Sequence, residues 1–159
     1  MLKFPLPSGW GDSNVRNSIR RIAGSPPRAL SVVGERLTVL APASRTEGYE
    51  VFLQQGDTGQ GPPPHSHDWD ETFYVISGDV EFGYGDIAML AGPGTLVHLP
   101  AGTTHWFRFV TKAEMLSMTS HEGASAFFTD VDAKVPHGSQ PDIEKLGAVA
   151  ADHGLRIQV

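Results

Sequence analysis

Cysteine is missing from all 159 residues. That excludes a disulfide framework and any thiolate metal site, so a bound metal would have to be held by imidazole and carboxylate. Long apolar runs are missing too. The opening MLKFPLPSGWGDSN has no unbroken hydrophobic core of the signal-peptide kind, and no later segment reaches the roughly 20 residues needed to cross a bilayer. The expectation is a cytoplasmic protein with no membrane partner. Basic charge is scarce outside one stretch. The formal net charge is -6, yet residues 1–30 hold Lys3, Arg16, Arg20, Arg21 and Arg28 against Asp12 alone, which leaves the rest with 7 basic and 17 acidic side chains. Such an acidic body is a poor match for nucleic acid, whose binding rests on Lys and Arg neutralising phosphates. The basic arm is instead expected to lie on an acidic surface of its own or of a partner subunit.

Helical periodicity is also rare. Only PDIEKLGAVAADHG reads as a clear helix, about residues 142–153, with Ile143, Leu146 and Ala150 on one face, Asp142 and Glu144 in the first turn and Gly154 as the stop. What the chain has in quantity is punctuation: 18 glycines and 12 prolines set between short apolar runs. LSVV, RLTVLA, YEVFLQQ, ETFYVISG, VEFGYG, GTLVHLP, HWFRFV and EMLSMTS each have strand character. Many short strands with regular turns predict an all-β sandwich or barrel. The length suits one domain: an irregular N-terminal arm over 1–28, then a single barrel over 29–159 whose C-terminal helix covers an open side.

Two segments carry the chemistry. In GQGPPPHSHDWDETFYVISG, from Gly59 to Gly78, His65 and His67 are two apart, which on a strand points both imidazoles to one face. Asp68, Trp69 and Asp70 supply a bend, and Glu71 opens the next strand with Phe73 and Val75 on its face. In GTLVHLPAGTTHWFRF, from Gly94 to Phe109, a turn at Pro100-Ala101-Gly102 precedes a strand beginning near His105. With His105 inward, alternation turns Phe107 and Phe109 inward and Trp106 and Arg108 outward. Phe73, Phe107 and Phe109 are therefore expected to wall a substrate pocket, with Phe127 and Phe128 as further aromatic candidates. Three histidines and a glutamate are hard to bury without a shared cation. His65, His67, Glu71 and His105 thus predict one divalent transition metal per chain: manganese, iron, cobalt, nickel, copper or zinc. His98, His121, His137 and His153 lack such company and are assigned to surface or packing. Trp69 is expected either to gate the mouth of the site or to lie on the surface at a dimer contact. Tyr74 alternates away from the interior. No phosphate loop, Gly-x-Ser-x-Gly elbow or His-Glu-x-x-His helix is present.

The two segments resemble the motifs of the cupin superfamily. The first fits Gly-x5-His-x-His-x3-Glu-x6-Gly at Gly59, His65, His67, Glu71 and Gly78. The second fits Gly-x5-Pro-x-Gly-x2-His-x3-Asn at Gly94, Pro100, Gly102 and His105, with Phe109 where the pattern has asparagine. The resemblance implies a double-stranded β-helix, or jelly-roll, with the metal inside one end, and a homodimer. The chain is most similar to single-domain cupins related to quercetin dioxygenase. That likeness implies a dioxygenase acting on a small aromatic or hydroxylated organic molecule, with Glu71 taking the substrate proton as well as ligating. Metal-dependent cyclisation or isomerisation of a polyketide-like or sugar-like compound is the alternative, and a non-catalytic small-ligand binder is a third, because fold membership does not separate them.

Overall fold

The β-branched and aromatic runs pair into two antiparallel sheets that face one another. The computed structural model describes residues 27–137 and 142–158. The arm expected over 1–28 therefore lies outside the described residues, apart from Pro27 and Arg28. One sheet has the order β1-β2-β3-β10-β5-β8, formed by β1 (Leu30–Val32), β2 (Glu35–Ala41), β3 (Tyr49–Gly56), β10 (Ala113–Ser120), β5 (Glu71–Ser77) and β8 (Leu96–Leu99). The other has the order β11-β4-β9-β6-β7, formed by β11 (Arg156–Ile157), β4 (His65–Ser66), β9 (His105–Phe109), β6 (Val80–Tyr84) and β7 (Ile87–Ala91). Strands close in sequence, such as β4 and β5, fall in opposite sheets, which is the jelly-roll crossover pattern. The all-β expectation holds.

Burial alternates along the strands as the side-chain period of two requires. On β10, Ala113, Met115, Ser117 and Thr119 face inward, and on β9 His105, Phe107 and Phe109 do. Two apolar clusters result. Phe73, Val75, Phe82, Phe107, Phe109 and Met115 fill the barrel interior. Leu37, Phe52, Trp69, Phe127, Val131 and Leu146 join the barrel to its helices.

Among the described residues, three helices accompany the strands. The C-terminal one, α3 (Ile143–Asp152), is capped by the Asp142 carboxylate, which accepts from Lys145 N at 3.1 Å. Its buried face is Leu146, Val149 and Ala150, whereas Ile143 is exposed. A short α1 (Ala43–Thr46) and a longer α2 (Ala124–Lys134) were not anticipated. The apolar residues of α2, namely Ala124, Phe127, Phe128 and Val131, follow helical spacing. Its start is concealed because Gly123 offers no capping side chain. Arg28 pairs with Asp132 of α2, and the same carboxylate accepts from Ser31 N at 2.7 Å, fixing β1 to that helix.

Gly78 turns β5 into β6 with φ +74°, where a Cβ would lie 2.4 Å from Lys112 O and 2.6 Å from Ala113 Cβ. Both the left-handed backbone and the contact with main chain demand glycine. Gly78→Ala is expected to destabilise the protein by about 2–5 kcal/mol in urea unfolding.

Candidate metal centre

β4 is only two residues long, but it places the first ligand opposite the last, since His65 and His105 are cross-strand partners with ring centroids 4.4 Å apart. His67 follows just beyond the strand. Glu71, the first residue of β5, reaches in from the opposite sheet. The turn of the second motif is bonded to the loop of the first: Gly102 N donates to His67 O at 2.8 Å, and Ala101 N to Asp70 Oδ1 at 2.9 Å. Asp70 N in turn donates to Ser120 Oγ at the end of β10. One ligand-lying atom from each of His65, His67, Glu71 and His105 falls within 4.8 Å of the others.

Hydrogen bonds behind the rings fix which nitrogen faces the centre. The Nδ1 atoms of His65, His67 and His105 lie 2.9 Å from the carbonyl oxygens of Pro63, Trp69 and Thr103 respectively. A carbonyl only accepts, so each Nδ1 carries the proton and each neutral ring turns an Nε2 lone pair inward. His67 Nε2 lies 3.1 Å from Glu71 Oε2. His105 Nε2 lies 3.3 Å from the same oxygen, is too poorly aligned for a hydrogen bond and is buried without a partner. Converging lone pairs and a carboxylate repel unless a cation lies among them. The donor set therefore fits a divalent transition metal held by three nitrogens and one oxygen, with further coordination positions open to an ion that takes more than four ligands.

The titration behaviour follows from the same contacts. Burial and the neighbouring His105 lower His65 from 6.5 to about 4. Burial alone would raise Glu71, but the facing imidazoles of His105 and His67 hold it at about 2 in the metal-free protein. For His105 burial works downward, yet the Glu71 carboxylate 3.3 Å away raises it above 6.5.

The cluster opens on a cavity of about 60 Å³, lined also by Trp69, Phe107, Phe127, Phe128, Leu146 and Ile157. Phe107 lies on the cavity wall. Phe73 and Phe109 do not: both are fully buried in the barrel interior, where Phe73 packs behind His105 at a centroid distance of 6.5 Å. Alternation identified them as inward, but inward on this barrel means core below the site as well as pocket. Trp69 lines the cavity and is not a surface residue. It is 8% exposed and stacks on His67 with centroids 4.4 Å apart and planes 10° from parallel. Tyr74 points outward. His98 is exposed and meets Thr72 Oγ1 at 2.9 Å, while His153 lies 2.9 Å from Asp130 Oδ2 and His137 2.8 Å from Asp132 O.

Two polar residues of the cavity escaped the sequence reading. Glu35 on β2 and Gln54 on β3 both line it, 3% and 4% exposed. Burial, with the charge of Glu71 as the second cause, pushes the Glu35 carboxyl well above its ordinary value. The signal was strand phase, since Glu35 alternates with Leu37, and Gln54 with Phe52.

Two facing sheets with an inward His3Glu cluster define a metal-site jelly-roll. Residues 49–121 match the family model described as Cupin domain. Over that stretch, which holds all four donors, the barrel is similar to the cupin superfamily. Solved structures of the same fold include KdgF from Halomonas sp., with 20% identity, TM-score 0.54 and coverage of 58% of this chain and 85% of that one. An RmlC-like cupin from Shewanella frigidimarina has 14% identity, TM-score 0.57 and coverage of 63% and 87%. The polyketide cyclase RemF from Streptomyces resistomycificus has 19% identity, TM-score 0.50 and coverage of 59% and 70%. No match was found among curated protein sequences. Among the described residues, no helix is long and apolar enough to cross a membrane.

Proposed function

We propose that this protein is a metal-dependent dioxygenase acting on a small hydroxylated organic compound. The observation that carries the reading is the junction of four inward donor atoms with a mostly apolar cavity. Bound there, the ion supplies Lewis acidity and, if redox-active, electrons for dioxygen chemistry. The protein's own groups do the rest. Carbonyls of Pro63, Trp69 and Thr103 hold the three rings in one tautomer. Trp69 locks the plane of His67 by stacking. Glu71 Oε2, kept ionised at neutral pH, is placed to accept the proton of an enol or phenol hydroxyl. Phe107, Phe127 and Phe128 exclude water from the reacting group. The volume restricts the ligand, because pockets for drug-sized molecules run to roughly 300–1,000 Å³. Since a cavity of roughly 150 Å³ is what holds benzene, even a one-ring compound requires the aromatic wall to move or part of the ring to protrude, and a three-ring flavonol requires more.

A specific observation favours a second, non-oxidative reading. Glu35 is a buried carboxyl in the same cavity whose pKa is pushed well above its ordinary value by burial, the kind of group that serves proton transfer in cyclisation or isomerisation. Oxygen-electrode measurements on metal-loaded protein with phenols, catechols and small enols separate the two. The expected result is one dioxygen consumed per substrate lost. Product formation at constant oxygen would transfer the assignment to the second reading, and no turnover of any compound would defeat both.

A further inference from the structure

The fold leaves two acceptors in the cavity without partners. Glu35 opens β2, and Gln54 is opposite Leu37 in the β2–β3 register. Strand alternation therefore sets Glu35 and Gln54 on one inward face, a diagonal step apart. Glu35 Oε2 and Gln54 Oε1 are buried with no hydrogen-bond partner. Each such orphan is a buried acceptor stripped of water with nothing in return, whereas an aliphatic residue beside Leu37 and Phe52 would carry no such acceptor. The buried hydroxyls of Ser117 and Thr119 are orphaned as well, but neither lines the cavity. Neither Glu35 nor Gln54 belongs to the metal cluster. Both instead meet the same enclosed space from β2 and β3, in the sheet that also carries Glu71.

We propose that Glu35 and Gln54 form a second polar pole of the pocket, accepting hydrogen bonds from a substrate hydroxyl distinct from the oxygen that faces the metal. This rests on the reading that the cavity takes the substrate, and it narrows the substrate class. The ligand has two polar ends joined by a short apolar body: an oxygen for the His3Glu end, a donor hydroxyl for Glu35 and Gln54, and a ring or chain against Phe107 and Phe128.

Resorcinol and hydroquinone, each paired with its monomethyl ether, test this by calorimetric titration of the metal-loaded full chain. The ether keeps one hydroxyl and loses the second donor. At least one diol is expected to bind about 10–100-fold more tightly than its ether. Glu35→Met and Gln54→Met are expected to reduce that diol to the affinity of its ether, leave the ether unchanged, and raise the thermal midpoint, because the orphan acceptor is gone. Glu35→Gln, which retains an acceptor, is expected to keep the preference even if Glu35→Met fails to fold. Equal binding of diols and ethers, no binding of either diol, a common loss for both ligands in the variants, or a lowered midpoint in both Met variants would each overturn the proposal. The readout is indifferent to oxygen: a preserved diol preference without oxygen uptake defeats the dioxygenase reading alone.

Discussion

His105→Ala is expected to abolish stoichiometric metal binding and to leave the β-sheet circular dichroism in place. Loss of an outer partner of a metal ligand typically costs roughly 10–100-fold in affinity, and loss of a ligand itself costs more. His105 is 1% exposed and contributes a buried cluster nitrogen that has no hydrogen-bond partner. Its main chain still pairs with β4 and β6 after truncation, since ladder hydrogen bonds do not depend on the imidazole. The ring vacates space beside Phe73, so some stability is lost as a cavity. Elemental analysis of the purified variant measures the outcome, with His98→Ala as the comparison because His98 is exposed and outside the cluster. Full occupancy in His105→Ala would show that the ion is held by other groups.

Metal affinity is expected to weaken with acid, beginning above the ordinary histidine value. A ligating imidazole must be neutral at Nε2, so protons compete with the ion. His105, raised above 6.5 by Glu71, competes for a proton already above the ordinary histidine value in the metal-free protein. Below that point affinity falls about tenfold per pH unit for each proton the ion displaces. His65 joins the competition only near its value of about 4, and Glu71 only near 2. Competition against a chelator from pH 8 to 4 therefore gives a decline that starts near neutrality and steepens at the acid end. A constant affinity between pH 8 and 5 would contradict the assignment of His105.

The ligands were legible in the sequence because their geometry is local. His65 and His67 share a strand face, Glu71 starts the next strand, and a Pro-Ala-Gly turn announces His105. The pocket was legible only in part. Phe73 and Phe107 have the same inward phase, yet one lies behind the cluster and the other beside the cavity; that difference depends on depth within the barrel. Trp69 lies between two aspartates, which suggests exposure, but stacking on His67 and packing under α2 override its neighbours. Glu35 and Gln54 were invisible for a related reason: a polar residue in a strand gives no sign of facing inward until the phase of its neighbours is fixed. β4 and β11, two residues each, are shorter than any periodicity can register.

Sheet membership of the four ligands has a mechanical consequence. His65 and His105 belong to one layer and Glu71 to the other, so a coordinated ion acts as a rivet through both. In a chain without cysteine, this is a cross-link that disulfide chemistry does not supply. At an ion concentration 100 times the dissociation constant, the fastening amounts to about 2.7 kcal/mol of resistance to unfolding. Stripping the ion thus loosens the sandwich as well as silencing its chemistry.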